Sequence, residues 1–384
     1  MKSLSSLRYM LLILIITACD NTNSANYRTL SAANSCFMTT GIMTFQDGIP
    51  TSGITLEHFN CVKNLADNGD TEAQWLLVNF YKRGIFVKQS PVMSTYWIRK
   101  LAESGDITAK SLLATAYYNG EGVQKNIGKS IEIFSELYKN GNLTNPSIYN
   151  YILLTSDNPQ KNWPIAKAIL EEGLANNDDW AYQYLPLIYL NDFYFPQDIP
   201  LAINLFEEGI ERGLTHFNVW LGLIHLSGTG VPISYDKAQK YFNQTNFVGI
   251  YNIFIEDLNS DDFSASRYQI YAQDPTASLR RGMLFEKEKD YRQAFEAYQI
   301  AAKSQNYFAY KRIEELINNK LVIAPNIDLQ SFSFAMKDTK KIFIDEIIQT
   351  QSLILFLKAF ANKKDPIALQ LLEHYEQDIK VIRD

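Results

Sequence analysis

The chain has 384 residues, of which 42 are acidic and 36 basic, giving a net charge of −6. That balance argues against nucleic acid as a partner and against a polybasic contact with lipid. Its four histidines and three cysteines contain no His-x-x-x-His or Cys-x-x-Cys spacing, so no metal or cofactor is expected.

At the amino end Lys2 and Arg8 flank an apolar run from Met10 to Ile16, too short for a comfortable membrane span. The run closes on Ile16-Thr17-Ala18-Cys19, which resembles a bacterial lipobox; the alternative is an ordinary signal peptide with an incidental cysteine. The resemblance implies a signal peptide over 1–18 and a lipid on Cys19. The lipid would anchor the chain to a membrane of the bacterial envelope, facing the periplasm. Asp20 favours the inner membrane under the sorting rule of enteric bacteria, and the outer membrane is the alternative. Loss of 1–18 removes two basic residues, leaving 34 against 42 acidic ones and a charge of −8. Residues 19–35 read as a polar, lipidated tether that would span roughly 20 Å as a flexible coil.

Residues 36–72 read as an amino-terminal cap containing Cys36 and Cys61, the cysteines of the mature chain. In an oxidising compartment an even count suggests a disulfide, whose loop closure is worth about 3.5 kcal/mol; two buried free thiols are the alternative.

From His58 to Gly249 the chain repeats itself every 36 residues. One column is small (Ser94, Ser130, Ala166, Ala202, Ala238). Two are apolar (Trp97, Ile133, Ile169, Leu205, Tyr241 and Ile98, Phe134, Leu170, Phe206, Phe242). A fourth is nearly all glycine (Gly69, Gly105, Gly141, Asn177, Gly213, Gly249). Within each unit, apolar residues at i, i+1, i+4 and then at i+3, i+4, i+7 predict two amphipathic helices. Gly84, Gly120 and Gly228 fall at the turn between them, where the chain needs positive φ. One such unit cannot bury its apolar face alone, so the period predicts an all-α solenoid of stacked antiparallel helix pairs over 73–250.

Gly120-Glu121-Gly122-Val123, Gly228-Thr229-Gly230-Val231, Tyr235-Asp236-Lys237-Ala238 and Ala102-Glu103-Ser104-Gly105-Asp106 resemble the Sel1-like repeat, a relative of the tetratricopeptide repeat. The resemblance implies a right-handed superhelix that binds protein. Repeats three and four depart from it: Ser156 and Asp192 replace the turn glycine, Pro159 and Phe195 the valine. After Gly249 the register breaks. Residues 251–275 read as an insertion or a distorted repeat, and Asp290 to Tyr298 restores the pattern. Residues 276–384 read as repeat-like helices and a carboxyl-terminal cap, with helices over Ile342–Ala361 and Pro366–Val381.

Little in the chain calls for catalysis. Gly122 to Ser130 has five residues between its glycines where a phosphate-cradling loop needs four, and it follows a helix rather than a strand. Glu171-Glu172 and Glu207-Glu208 recur at the repeat period, as a solvated face does. His225 occupies the column of Tyr81, Tyr117 and Tyr189 and is explained by packing. The chain is therefore not expected to be an enzyme. Trp75, Tyr118, Tyr151 and Tyr182 fall off the main apolar columns of the first helices, and Phe193 and Tyr194 crowd a turn. They are candidates for a partner-binding surface, or for cover over irregular repeat junctions. By resemblance, the chain is expected to be an immunity protein that blocks a type VI secretion toxin such as a phospholipase. The alternative is a protein scaffold in envelope assembly, secretion or polysaccharide export.

Overall fold

The structure, a computed structural model, describes residues 36–37, 45–46, 49–50, 53–143, 146–156, 158–191, 195–260, 263–304, 306–322 and 344–383. The expected signal peptide, Cys19 and the tether lie outside them. Two strands of two residues each, β1 (Phe45–Gln46) and β2 (Ile49–Pro50), pair antiparallel in the cap. The longer elements described are all helices, and they fall into two compact units.

The first unit, residues 9–153, contains α1 (Leu56–Asp67), α2 (Thr71–Arg83), α3 (Pro91–Glu103), α4 (Ile107–Asn119), α5 (Ile127–Lys139) and most of α6 (Ser147–Leu154). Polar caps set its rhythm. Asp70, Ser90, Asp106 and Asn126 each accept a hydrogen bond from a backbone N–H of the helix they precede. The first helices end on Gly84 and Gly120 in the left-handed conformation. The small column brings the two helices of a pair close together. The Ser94 hydroxyl on α3 donates to the Val78 carbonyl of α2 at 3.2 Å, and Ser130 is fully buried. Val62, Leu77, Phe80, Trp97 and Leu101 fill the shared interior. A disulfide joins Cys36 to Cys61 on α1, with Cα atoms 5.7 Å apart, and so ties the cap segment to the stack.

The second unit includes residues 154–384. It opens with the second helix of the divergent third repeat, followed by the divergent fourth. Asn158 caps α7 (Pro159–Ala175), and the indole of fully buried Trp163 donates to the Leu154 carbonyl at 3.1 Å. The next first helix is broken into a 3-10 turn (Asp179–Gln183) and a short α8 (Leu185–Leu190), with Pro186 at its start. Asn177, in the glycine column, takes φ 62. Regular pairing resumes with α9 (Ile199–Glu211), α10 (Phe217–Ser227) and α11 (Tyr235–Phe242).

Gly249 departs from its column. It does not end a helix but lies at the second position of α12 (Val248–Asn259), because α11 is cut short at Phe242. A side chain there would fall 2.1 Å from the Tyr271 hydroxyl. Residues 251–275 hold the rest of α12 and a 3-10 turn (Ala265–Tyr271) standing where a second helix would be. Then come α13 (Pro275–Lys287), α14 (Tyr291–Ala302) and α15 (Tyr307–Asn318).

The carboxyl-terminal helices α16 (Ile344–Ala361) and α17 (Pro366–Arg383) do more than close the end of the stack. α16 lies across first helices already laid down. It packs on α10, its Phe356 ring meets Phe254 of α12 at 4.8 Å, and Arg280 of α13 sits 3.9 Å over its Phe360 ring. Leu355, Phe356, Leu357 and Phe360 are buried, which explains why this helix is apolar around its circumference. Arg280 fixes the arrangement. Its guanidinium bonds Asp257 through two nitrogens, at 2.6 and 3.0 Å, and Asp365 at 2.6 Å. Asp257 also accepts from the buried Tyr268 hydroxyl at 2.8 Å. Asp365 in turn caps α17 by accepting from the backbone of Ile367 and Ala368.

Removing one member of a buried ion pair strands the other, at about 3–5 kcal/mol. Arg280→Ala is accordingly expected to lower the stability of the second unit by that amount in urea unfolding. Reduction of the Cys36–Cys61 bridge, closing a loop of 25 residues, is expected to cost the first unit about 3.5 kcal/mol. Paired melts with and without reductant measure it.

Candidate protein-binding surface

In the first unit the first helices α2, α4 and α6 each turn one face to the core and leave another at the surface. Trp75 and Asn79 on α2, Ser111, Thr115 and Tyr118 on α4, and Tyr151 on α6 are all half-buried. Spacings of four and seven residues place them on one side of each helix. The row is organised by its own bonds. The Trp75 indole donates to Asp106 at 3.0 Å, the same carboxylate that caps α4. Asn79 donates to the Trp75 carbonyl, and Thr115 to that of Ser111. Tyr118 and Tyr151 meet edge to face at 6.2 Å, with the Lys125 ammonium 5.5 Å over the Tyr118 ring.

Three of the candidate residues, Trp75, Tyr118 and Tyr151, therefore share this surface. Tyr182 does not. It is 3% exposed, its hydroxyl donates to Glu208 at 2.8 Å, and the Arg212 guanidinium covers its ring at 4.4 Å. Being off the apolar column left it in a 3-10 turn that the core closes over, so it offers nothing to a partner. Phe193 and Tyr194 lie outside the described residues. Phe195 is half-buried, with Lys167 over its ring at 5.5 Å.

The paired glutamates are more than a solvated face. Glu171 accepts from the Tyr189 hydroxyl at 2.5 Å and pairs with Lys167; Glu208 accepts from Tyr182, and Glu207 from Tyr241 at 3.2 Å. Each ties one helix to a neighbour. The histidines are dispersed in structural roles. His58 forms a capping box with Thr55, His374 pairs with Glu315 at 2.7 Å, and His225 stacks on Tyr241 at 5.7 Å. Among the described residues no cluster of three or more His, Cys, Asp or Glu could hold a metal ion, and no helix is long and apolar enough to cross a membrane.

The family model of the Sel1 repeat matches five segments: 71–106, 108–142, 187–214, 218–245 and 280–306. The chain carries Sel1 repeats. The segments correspond to α2–α3, α4–α5, α8–α9, α10–α11 and α13–α14, and skip the divergent third repeat. Proteins built from Sel1 repeats are protein-interaction scaffolds, generally without catalysis. No curated protein matches the chain in sequence. Among solved structures it is similar to a protective antigen of uropathogenic Escherichia coli displaying an SLR fold, at 17% identity and TM-score 0.48, over 85% of this chain and 78% of that one. It is also similar to a Sel1 repeat protein from Oxalobacter formigenes, at 20% identity and TM-score 0.39, over 48% and 77%.

Sequence reasoning missed Phe86, Val92 and Tyr96, all exposed. The signal was there: Gly84-Ile85-Phe86-Val87 aligns with Gly120-Glu121-Gly122-Val123 and puts an aromatic in a glycine position.

Burial, then the nearby Lys237, holds the His225 imidazole below its usual range, against the pull of Glu207. The unfolded chain therefore takes up this proton first as the pH falls below about 6.5, and stability drops with acidification. His225→Tyr, the residue of its own column, is expected to flatten the fall in Tm between pH 7 and pH 5. Equal slopes for the two proteins would assign the acid sensitivity elsewhere.

Proposed function

We propose that the chain is a lipid-anchored, periplasm-facing scaffold that binds one protein partner along the first helices of its amino-terminal repeats. The observation that carries this reading is the row Trp75, Tyr118 and Tyr151, half-exposed on adjacent first helices and held in place by hydrogen bonds and ring contacts. Rigid aromatics supply large contact area at low entropic cost. The second unit supports it by example: the first helices α10, α12 and α13 of its repeats take a helix laid across them. A helical segment of a partner fits the first unit in the same way. The lipobox-like run ending at Cys19 supports attachment to the membrane from the periplasmic side.

For the partner we propose a toxin delivered into the periplasm by type VI secretion, with a phospholipase as the first case to test. An antidote tethered beside the membrane under attack meets its target where the damage occurs. Co-expression in the periplasm with the product of an adjacent toxin gene is expected to restore growth. The double variant Tyr118→Ser/Tyr151→Ser is expected to weaken binding by about 2 kcal/mol, roughly 30-fold. A toxin that binds but is not neutralised would leave the scaffold reading and remove the immunity reading; a double variant that binds like the parent would move the surface elsewhere.

A further inference from the structure

Between Glu72 and Glu103 the chain contains no acidic residue but holds Lys82, Arg83, Lys88, Arg99 and Lys100. Four of these are exposed and Arg99 is half-buried, and none is held in an ion pair among the described residues. In an acidic chain this is a local reversal of sign.

The same stretch exposes apolar side chains. Phe86 has φ 62 in the column where Gly122 has φ 67 and Gly230 has φ 70. A left-handed backbone is disfavoured for an aromatic residue, and such strain persists where something else requires the side chain. Burial is not the requirement, since Phe86 is 45% exposed, resting on Phe59 at 5.5 Å. On α3, Val92 and Tyr96 are 62% and 43% exposed, and they follow one another at four residues on the face that continues to Arg99.

This surface continues into the second repeat. The turn after α4 sits on the start of α3: Thr95 donates to the Glu121 carbonyl at 2.9 Å, and a side chain at Gly122 would lie 2.2 Å from the Pro91 carbonyl oxygen. Beside that turn Arg99, Lys125 and Lys129 line a cleft of about 430 Å³ with Tyr117 and Asn126, and no carboxylate lines it. Glu121, whose carbonyl Thr95 reaches, is an acidic residue at its border.

Cations with no carboxylate partner among the described residues, interleaved with exposed aromatic and aliphatic side chains, fit a ligand that is anionic at its surface and apolar just beneath. We propose that this edge of the first two repeats rests on a bilayer containing anionic phospholipid, with Phe86 and Val92 entering the headgroup layer and the Arg99–Lys125–Lys129 cleft taking a phosphate group. Exposed valine and phenylalanine favour lipid over nucleic acid, whose phosphates would use the cations alone. The inference stands apart from the anchor at Cys19, because it concerns which lipid the folded repeats touch.

The test uses the full chain with Cys19→Ser and Val92→Cys, the new thiol carrying an environment-sensitive fluorophore; the remaining cysteines are joined in the disulfide. Vesicles of phosphatidylcholine alone, or mixed with phosphatidylglycerol, carry a lipid-borne quencher. The expected result is a blue-shifted, quenched label on the anionic vesicles, reversed in about 0.5 M salt. Each basic residue near such a surface adds roughly five-fold, so Lys82→Glu/Arg83→Glu/Lys88→Glu is expected to weaken the response more than about ten-fold. Phe86→Gly, which places there the residue that stands at Gly122 and Gly230, is expected to weaken it without unfolding the chain. Adhesion through the amino end is common to both vesicles and is read from the response on phosphatidylcholine alone. Equal responses on the two lipids, a response to single-stranded DNA in place of vesicles, or parental binding by the triple variant would overturn the proposal.

Discussion

Everything in this molecule follows from the inability of one helix pair to cover its own apolar face. The remedy is a small side chain at the point of closest approach. Ser94, Ser130, Ala166, Ala202, Ala238 and Ala294 are all buried, and at Ser94 the approach is near enough for the hydroxyl to reach the backbone of the preceding helix. A larger residue in that column would separate the pair and open the interior to its neighbours as well. Packing of this kind is local, so each pair contributes its own interior and its contact with the next.

The regular part of this plan was legible in the sequence. Columns at a fixed period report which faces are buried, and the turn glycines report where φ is positive. What the columns could not report is any contact that breaks the period. Gly249 held its place in the alignment, but α11 ended early, so the glycine entered a helix. Tyr182 looked exposed because it was off-column, yet its helix is broken there and the ring is covered by Arg212. Arg280 resembled any surface arginine in sequence. Its partners are 23 and 85 residues away, and only the folded chain brings them together.

The same distinction applies to the surface. Trp75, Tyr118 and Tyr151 were found because they violated the apolar pattern; they stand on successive first helices, and Tyr118 and Tyr151 meet. Phe86 violated a subtler pattern, the substitution of an aromatic for the second glycine of the turn, which becomes meaningful once its left-handed backbone is seen. Net charge concealed the basic stretch around it, because a total over the whole chain averages away a sign change confined to one repeat.

The return of α16 across α10, α12 and α13 changes what kind of object the second unit is. A plain stack can fray from its free end, one pair at a time, because each pair depends only on the next. Here the last long helices are bolted to pairs far earlier in the chain, so the terminal pairs cannot peel away while α16 stays in place. The unit must lose its order as one block, and its chain must be complete before that block can close.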